Sequence, residues 1–206
     1  MSTDFVIIGY SGHAYVVIES AFESNLNIIG YTMPQISNSN PYDLSYLGSE
    51  SDANFIGLKK DFSYILGVGD NETRERLYNN LIANGKKVSS VINPSAKIAE
   101  SVVIGKGVFI SAGAIINPQS KIKEAAIINS GAIVEHECEI DKASHIGPGA
   151  VLCGNVYVGK RTFVGANSVV KQGVKIGHDA IIGAGTVVLS DVADNDKLVG
   201  NPGRLL

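Results

Sequence analysis

The sequence predicts a two-part fold. A small α/β domain, a Rossmann-like half with a parallel sheet, spans residues 1–93; a parallel β-helix of hexapeptide repeats spans 94–190, and a tail spans 191–206. Three observations predict it. An aliphatic residue recurs at every sixth position through the second half. The first half twice runs from strand through a glycine turn into a helix. Glycine is abundant at 23 residues while tryptophan is absent, which suits tight turns and thin layers. A period of six matches neither an amphipathic helix, near 3.6, nor an ordinary strand, near 2. It marks a solenoid in which each hexad forms one side of a three-sided coil.

Sixteen consecutive sixfold positions, from Ile98 to Val188, are Ile, Val or Leu. The position two residues before each, from Ala96 to Thr186, is small or β-branched. The first set is predicted to point into the coil, the second to sit near its corners. Sixteen hexads make about five coils, stacked at roughly 4.8 Å. Glycines follow the inward residue at 105, 147, 159, 165, 177 and 183, where a corner is expected to need backbone angles that side chains resist.

At the front, "DFVIIGYSGHAYVVIESAFES" reads as a buried strand, a turn and a helix from about Ala14. "FSYILGVGDNETRERLYNNLIANG" repeats that order, and "VSSVINP" supplies a short strand ending at Pro94. Strands alternating with helices imply a parallel sheet. The polar stretch 35–54, "QISNSNPYDLSYLGSESDAN", reads as a loop.

A formal net charge of −3 argues against nucleic acid as a partner. No apolar run is long enough to span a bilayer, and the start lacks a basic, cleavable leader pattern, so no membrane association and a cytoplasmic location are expected. The four histidines and two cysteines lack zinc-ligand spacing, and no metal is expected.

Two glycine turns, Gly9 to Gly12 and Gly67 to Gly69, open onto helix N-termini, where N–H groups and the helix dipole favour an anion such as phosphate. "GYSGH" fits neither a dinucleotide fingerprint nor a nucleophile elbow. In the repeats, His136 stands two residues after the inward Val134 and is predicted at the outer surface. The residue stacked one coil above it is Gly154, whose bare N–H could approach a reacting carbonyl. His145 lies half a coil from His136, so the two fall on different sides of one prism. Around a cyclic trimer, one subunit's His136 could face its neighbour's His145. Cys138 and the serines 120, 144 and 168 occupy the small corner position and read as structural. With no persuasive nucleophile, direct attack is preferred over an acyl-enzyme.

The stretches "IIGYSGHAYVV", "ILGVGDNETRERLY", "IINSGAIVEHECEIDKASHIGPGAVLCGNVYVGKRTFVGANSVV" and "LVGNPGRLL" together make the chain resemble bacterial hexapeptide-repeat acyltransferases of the sialic-acid O-acetyltransferase type. Among these it is most similar to the PglD-like nucleotide-linked aminosugar N-acetyltransferases. The resemblance implies a left-handed coil, a homotrimer with active sites between subunits, and a role in glycan biosynthesis. It implies His136 as general base, Glu137 assisting it, and His145 helping to place the acetyl donor. It further implies acetyl-CoA as co-substrate, lying between two solenoids along backbone from Gly154 to Ala166 and on to Ala184. The nucleotide-linked aminosugar is implied at Ser11, Gly12 and His13, with Gly69, Asn71 and Asn129 alongside. Chemistry agrees, since an amine attacks a thioester only as the neutral base and must lose a proton as the bond forms.

Neighbouring strand residues point to opposite faces, so Glu137 can orient His136 only if the chain bends between them. Otherwise Asp141 or another subunit would supply the orienter. Relatives that bind uridine nucleotides carry aspartates after the second strand, where this chain has Met33 and Pro34, so UDP, dTDP and GDP all stay open. The leading reading is N-acetylation of a nucleotide-linked 4-amino-4,6-dideoxy sugar. O-acetylation of sialic acid or another sugar, or a non-catalytic solenoid that binds sugar nucleotides, are the alternatives.

Overall fold

The structure, a computed structural model, describes residues 4–49 and 62–206. Its N-terminal sheet consists of β1 (Asp4–Ile8), β2 (Asn27–Thr32), β3 (Ser45–Tyr46), β4 (Ser63–Leu66) and β5 (Lys87–Val88). These run parallel in the order β3-β2-β1-β4-β5. Helix α1 (Gly12–Glu23) links β1 to β2, and helix α2 (Asn71–Ala83) links β4 to β5. Alternate residues of β1 feed the two sides of this sheet. Ile7 packs with Ala14, Val17 and Ile18 of α1, whereas Val6 and Ile8 pack with Leu77 and Leu81 of α2. Within the expected loop over 35–54, β3 is an addition to the sheet: Gly30 pairs with Ser45, and a Cβ at Gly30 would lie 2.6 Å from the Ser45 carbonyl. Positions 50–54 lie outside the described residues.

Beyond β5 the chain winds into a three-faced β-helix. The first face carries Val91–Ile92 and then Phe109–Ile110, Ile127–Ile128, His145–Ile146, Phe163–Val164 and Ile181–Ile182. The second runs from Lys97–Ile98 to Val187–Val188 and the third from Val103–Ile104 to Lys175–Ile176. Residues 18 apart pair in register on every face, for example Ile133 with Val151 and Ile127 with His145. The predicted inward positions from Ile110 to Val188 are no more than 1% exposed. Full burial of such side chains stabilises each by about 1.5–3 kcal/mol. The first rung, Val91–Ile92, lies before the expected boundary at 93/94, because it pairs with Phe109–Ile110 of the solenoid. The tail adds a rung as well, Lys197–Val199 pairing with Ile181–Ile182.

The repeat glycines act differently from the expectation. Gly105, Gly159 and Gly165 are not in the left-handed region; a Cβ there would meet backbone of the next coil at 2.7, 2.5 and 2.5 Å. They are bare so that coils can approach. The left-handed residue sits two positions later and need not be glycine, as at Ala125, Ala143 and Arg161 with φ of 55°, 55° and 58°. Polar corner residues close the gap between coils, the Ser144 hydroxyl donating to the Gly159 carbonyl at 2.8 Å and the Ser168 hydroxyl to that of Gly183 at 2.9 Å. Cys138 is buried at such a corner, and burial pushes its thiol up to about 11, which fits the structural reading.

The α/β domain covers the first face from Phe109 to His145 and the corner between the third and first faces, leaving Ile181 exposed. Phe109 and Ile127 are buried against Tyr10, Ala14 and Val17. Helix α2 lies along the corner, where Asn71 Nδ2 donates to the Arg161 carbonyl at 2.7 Å and Glu75 pairs with Lys160 and Arg161, both at 2.7 Å. Among the described residues no helix is long and apolar enough to cross a membrane.

Candidate active site

The sequence-predicted residues gather in three places. The first is the C-terminal edge of the parallel sheet, where successive connections leave β1 in opposite directions and a crevice forms, as in open α/β sheets generally. A cavity of about 360 Å³ opens there, lined by Gly9, Ser11, Met33, Pro34, Gly69 and Arg76 among others. Gly9 has φ of +88°, and a Cβ on it would lie 2.9 Å from Val68, so the turns after β1 and β4 touch only because this residue is bare. Gly12 begins α1 with nothing within 4 Å of its would-be Cβ. Ser11 and Gly69 are therefore brought together at the mouth of the two βα turns. An adjoining cavity of about 450 Å³, sharing Gly69, reaches Asn71, Phe163 and Ile181 on the first face of the solenoid.

The second group lies beneath the α/β domain. His13 and Asn129 were expected beside the substrate, yet neither lines the sheet-edge cavity. The His13 ring meets Phe109 edge-on at 5.6 Å and lies 6.1 Å from the His145 ring. Asn129 turns its Nδ2 to His145 Nε2 at 3.1 Å, and its Oδ1 accepts the Ser130 N–H at 2.8 Å. With the amide so oriented, Nε2 of His145 must accept, and the ring proton resides on Nδ1. Burial, aided by the Arg74 charge and by His13, holds the His145 pKa down to about 3 against an opposing hydrogen bond to the Gly69 backbone. Burial and Arg74 likewise lower His13 to about 4. Both rings are neutral near pH 7. Asn71 is committed to the domain junction by both amide atoms, donating to Arg161 and accepting from Arg74.

Sequence reasoning missed Arg74 itself, which is 1% exposed and bonds across both domains. Its signal was present: Arg74, Leu77, Tyr78 and Leu81 fall on one helical stripe, so a cation occupies a core position.

The third group occupies the corner between the second and third faces. His136 follows strand Ile133–Val134, and the next residue, Glu137, has φ of 60°. That left-handed residue is the bend the sequence left open, and it returns the carboxylate to its neighbour: Glu137 Oε2 is 3.0 Å from His136 Nδ1. The carboxylate fixes the proton on Nδ1 and leaves Nε2 as the basic nitrogen. Asp141, the other candidate, bonds instead to Tyr157 and Lys123. The imidazole lies over Gly154, where a Cβ would sit 2.5 Å from Cε1 and 2.6 Å from Nε2. A cavity of about 340 Å³, lined by His136, Gly154, Asn155, Gln172 and Gly173, opens in front of it. Cysteine and serine nucleophiles are absent from that lining.

Ala166 and Ala184 stack at the opposite edge of the second face, the Gly185 N–H donating to the Ala166 carbonyl at 2.8 Å. A donor path from Gly154 to Ala166 thus does not run along one chain. Gly154 belongs with His136, whereas Ala166, Ala184 and His145 lie toward the first face.

Such a solenoid, with an exposed imidazole backed by a carboxylate and a bare glycine, belongs to the hexapeptide-repeat acyltransferases. The PglD N-terminal domain family matches residues 4–81, and the hexapeptide repeat of succinyl-transferase family matches 156–190. GDP-perosamine N-acetyltransferase from Caulobacter crescentus, solved with CoA and GDP-perosamine as a variant with one histidine replaced by alanine, is 34% identical. The match covers 98% of this chain and 96% of that one, with a TM-score of 0.93. The acetyltransferase domain of PglB from Neisseria gonorrhoeae, solved with acetyl coenzyme A, is 29% identical over the full length of both, with a TM-score of 0.92. The chain belongs to the PglD-like family of sugar-nucleotide N-acetyltransferases, and it is an acyltransferase.

Proposed function

We propose that the protein transfers the acetyl group of acetyl-CoA to the 4-amino group of a nucleotide-linked 4-amino-4,6-dideoxy sugar, GDP-linked in the first instance. The observation that carries this reading is the His136–Glu137 pair over bare Gly154, which turns the ring nitrogen not bonded to the carboxylate, Nε2, toward a cavity. The neutral amine attacks the thioester carbonyl, forming the C–N bond, and His136 Nε2 accepts the amine proton. The oxyanion is met by backbone N–H at Gly154, and collapse breaks the C–S bond as the imidazolium returns its proton to the leaving thiolate. GDP is favoured by the likeness to a GDP-perosamine enzyme and by Met33 and Pro34, which leave no carboxylate after β2.

The site is completed by a neighbouring subunit of a homotrimer. Support comes from the outward residues of the second face, Ile115, Ile133, Val151, Val169 and Val187, an aliphatic ladder with Ile115 and Val169 37% and 39% exposed. The third face carries Val103, Lys121, Glu139, Tyr157 and Lys175 at the same positions, three of the five charged. The apolar face runs between the His136 edge and the Ala166 edge. Packing it around a threefold axis brings one subunit's His136 toward the neighbour's Ala166, Ala184 and His145, where the acetyl donor lies.

The test is thiol release from acetyl-CoA with GDP-, UDP- and dTDP-linked 4-amino-4,6-dideoxy sugars and with sialic acid. Turnover of the GDP-linked amine is expected. Turnover confined to sialic acid would overturn N-acetylation, and turnover confined to UDP- or dTDP-sugars would overturn the base assignment.

A further inference from the structure

Arg74 is the largest fully buried side chain among the described residues, and its guanidinium bonds only to neutral oxygens. Nε donates to the Ala125 carbonyl at 2.7 Å, Nη1 to those of Val68 and Gly69 at 3.2 and 2.8 Å, and Nη2 to Asn71 Oδ1 and the Ala143 and Ser144 carbonyls at 2.8, 2.7 and 3.3 Å. Desolvating a cation is costly, and here burial pushes the guanidinium pKa down to about 10 against the opposing attraction of the Asp70 carboxylate. A tie between two domains needs no charge at all. The turn after β4 gives the charge a use.

In a trans peptide the C=O and the following N–H point in opposite directions. Arg74 holds the carbonyls of Val68 and Gly69, so the N–H groups of Gly69 and Asp70 are turned away from it. Both residues line the sheet-edge cavity opposite Gly9 and Ser11. Behind these two N–H groups stands the cation. We propose that Arg74 is a positioning residue for the substrate's anionic part: it aims the Gly69 and Asp70 N–H groups at a phosphate of the nucleoside diphosphate. Its charge adds to the attraction without touching the ligand, and its grip on Ala125, Ala143 and Ser144 sets the phosphate's position relative to the solenoid. This rests on the sugar-nucleotide reading above.

Calorimetric binding of GDP, UDP and dTDP, with acetyl-CoA binding as the check on the solenoid, tests both levels. Arg74→Met is expected to weaken the preferred nucleotide about thirtyfold while acetyl-CoA binding changes less than about threefold, with Arg74→Lys in between. A second pair does not depend on Arg74 variants folding. Asp70 has φ of −66°, which suits proline, and its side chain caps α2 at the Thr73 N–H. Asp70→Ala and Asp70→Pro both lose the cap, but only proline loses the N–H, and glycine before it tolerates the ring. Asp70→Pro is expected to bind the nucleotide about tenfold more weakly than Asp70→Ala. Equal affinities in that pair, or an Arg74→Met protein that keeps nucleotide affinity within about threefold, would overturn the inference alone. A wild-type protein that binds none of the three nucleotides would overturn the sugar-nucleotide reading, and this inference with it.

Discussion

Replacing Gly154 by alanine adds one methyl group to the protein, and the structure says where it must go. The new Cβ would stand 2.5 Å from Cε1, 2.6 Å from Nε2 and 3.2 Å from Nδ1 of His136. To restore ordinary contact near 3.4 Å the ring must retreat by about 0.9 Å. Room exists, because the His136 side chain is 59% exposed, so the imidazole swings outward and the coil keeps its shape. The retreat lengthens the 3.0 Å bond to Glu137 and carries Nε2 off the line of the proposed amine proton transfer. A misplacement of this size costs on the order of 100-fold in turnover. The assay is kcat by thiol release, with circular dichroism melting as the check on folding. Gly154→Ala should lose about two orders of magnitude in kcat with an unchanged melt, and His136→Ala should lose 10²- to 10⁴-fold. The double variant should be no slower than His136→Ala, since both act on one group. A Gly154→Ala enzyme with more than about half the wild-type kcat would refute the placement of His136 as base.

Other perturbations separate the scaffold from the chemistry. Gly159→Ala, whose Cβ would lie 2.5 Å from the Gly177 backbone, should destabilise by about 3 kcal/mol or more in urea unfolding. Gly185→Ala, at φ of +68° but in open space, should cost only about 1–2 kcal/mol. His13 and His145, held down to about 4 and 3, bind fewer protons folded than unfolded below pH 6.5, so stability is full above that pH and falls as pH drops toward 4. His145→Asn should flatten that fall in melts run between pH 7 and 4.5. If the proposed trimer holds, Val169→Glu should yield a folded protein of monomer mass by light scattering, without turnover, because the second-face ladder is broken.

The solenoid was legible because its geometry repeats. Period six assigns inward residues, corner residues and stacking neighbours, and so places Gly154 over His136 from spacing alone. What the period does not encode is the sign of φ at each corner. Gly105 and Gly159 drew attention as glycines, but they serve close approach, and the left-handed bends fall on Gln119, Ala125, Glu137 and Arg161. Whether Glu137 could reach His136 was therefore undecidable from alternation alone. The α/β domain was legible as strand, turn and helix, yet its docking was not. Arg74 sits on the apolar stripe of α2, and only the packed structure shows that its partners are carbonyls of another domain.

That docking bears on how the proposed trimer would close the site. The sequence spacing put His136 and His145 on different sides of the prism, which left three outer faces as candidate contacts. The α/β domain takes up much of one, since Phe109 and Ile127 of the first face are already buried beneath it. The third face suits contact less, because burying it would cost Lys121 and Lys175 their hydration and would enclose the Glu139–Lys123 pair. The second face carries the longest uninterrupted aliphatic ladder, from Ile115 to Val187, and its two edges are the lines on which His136 and Ala166 stand. On the proposed trimer, burial of this face draws the two halves of the site toward each other, so assembly and catalysis should fail together in any variant that puts charge on it.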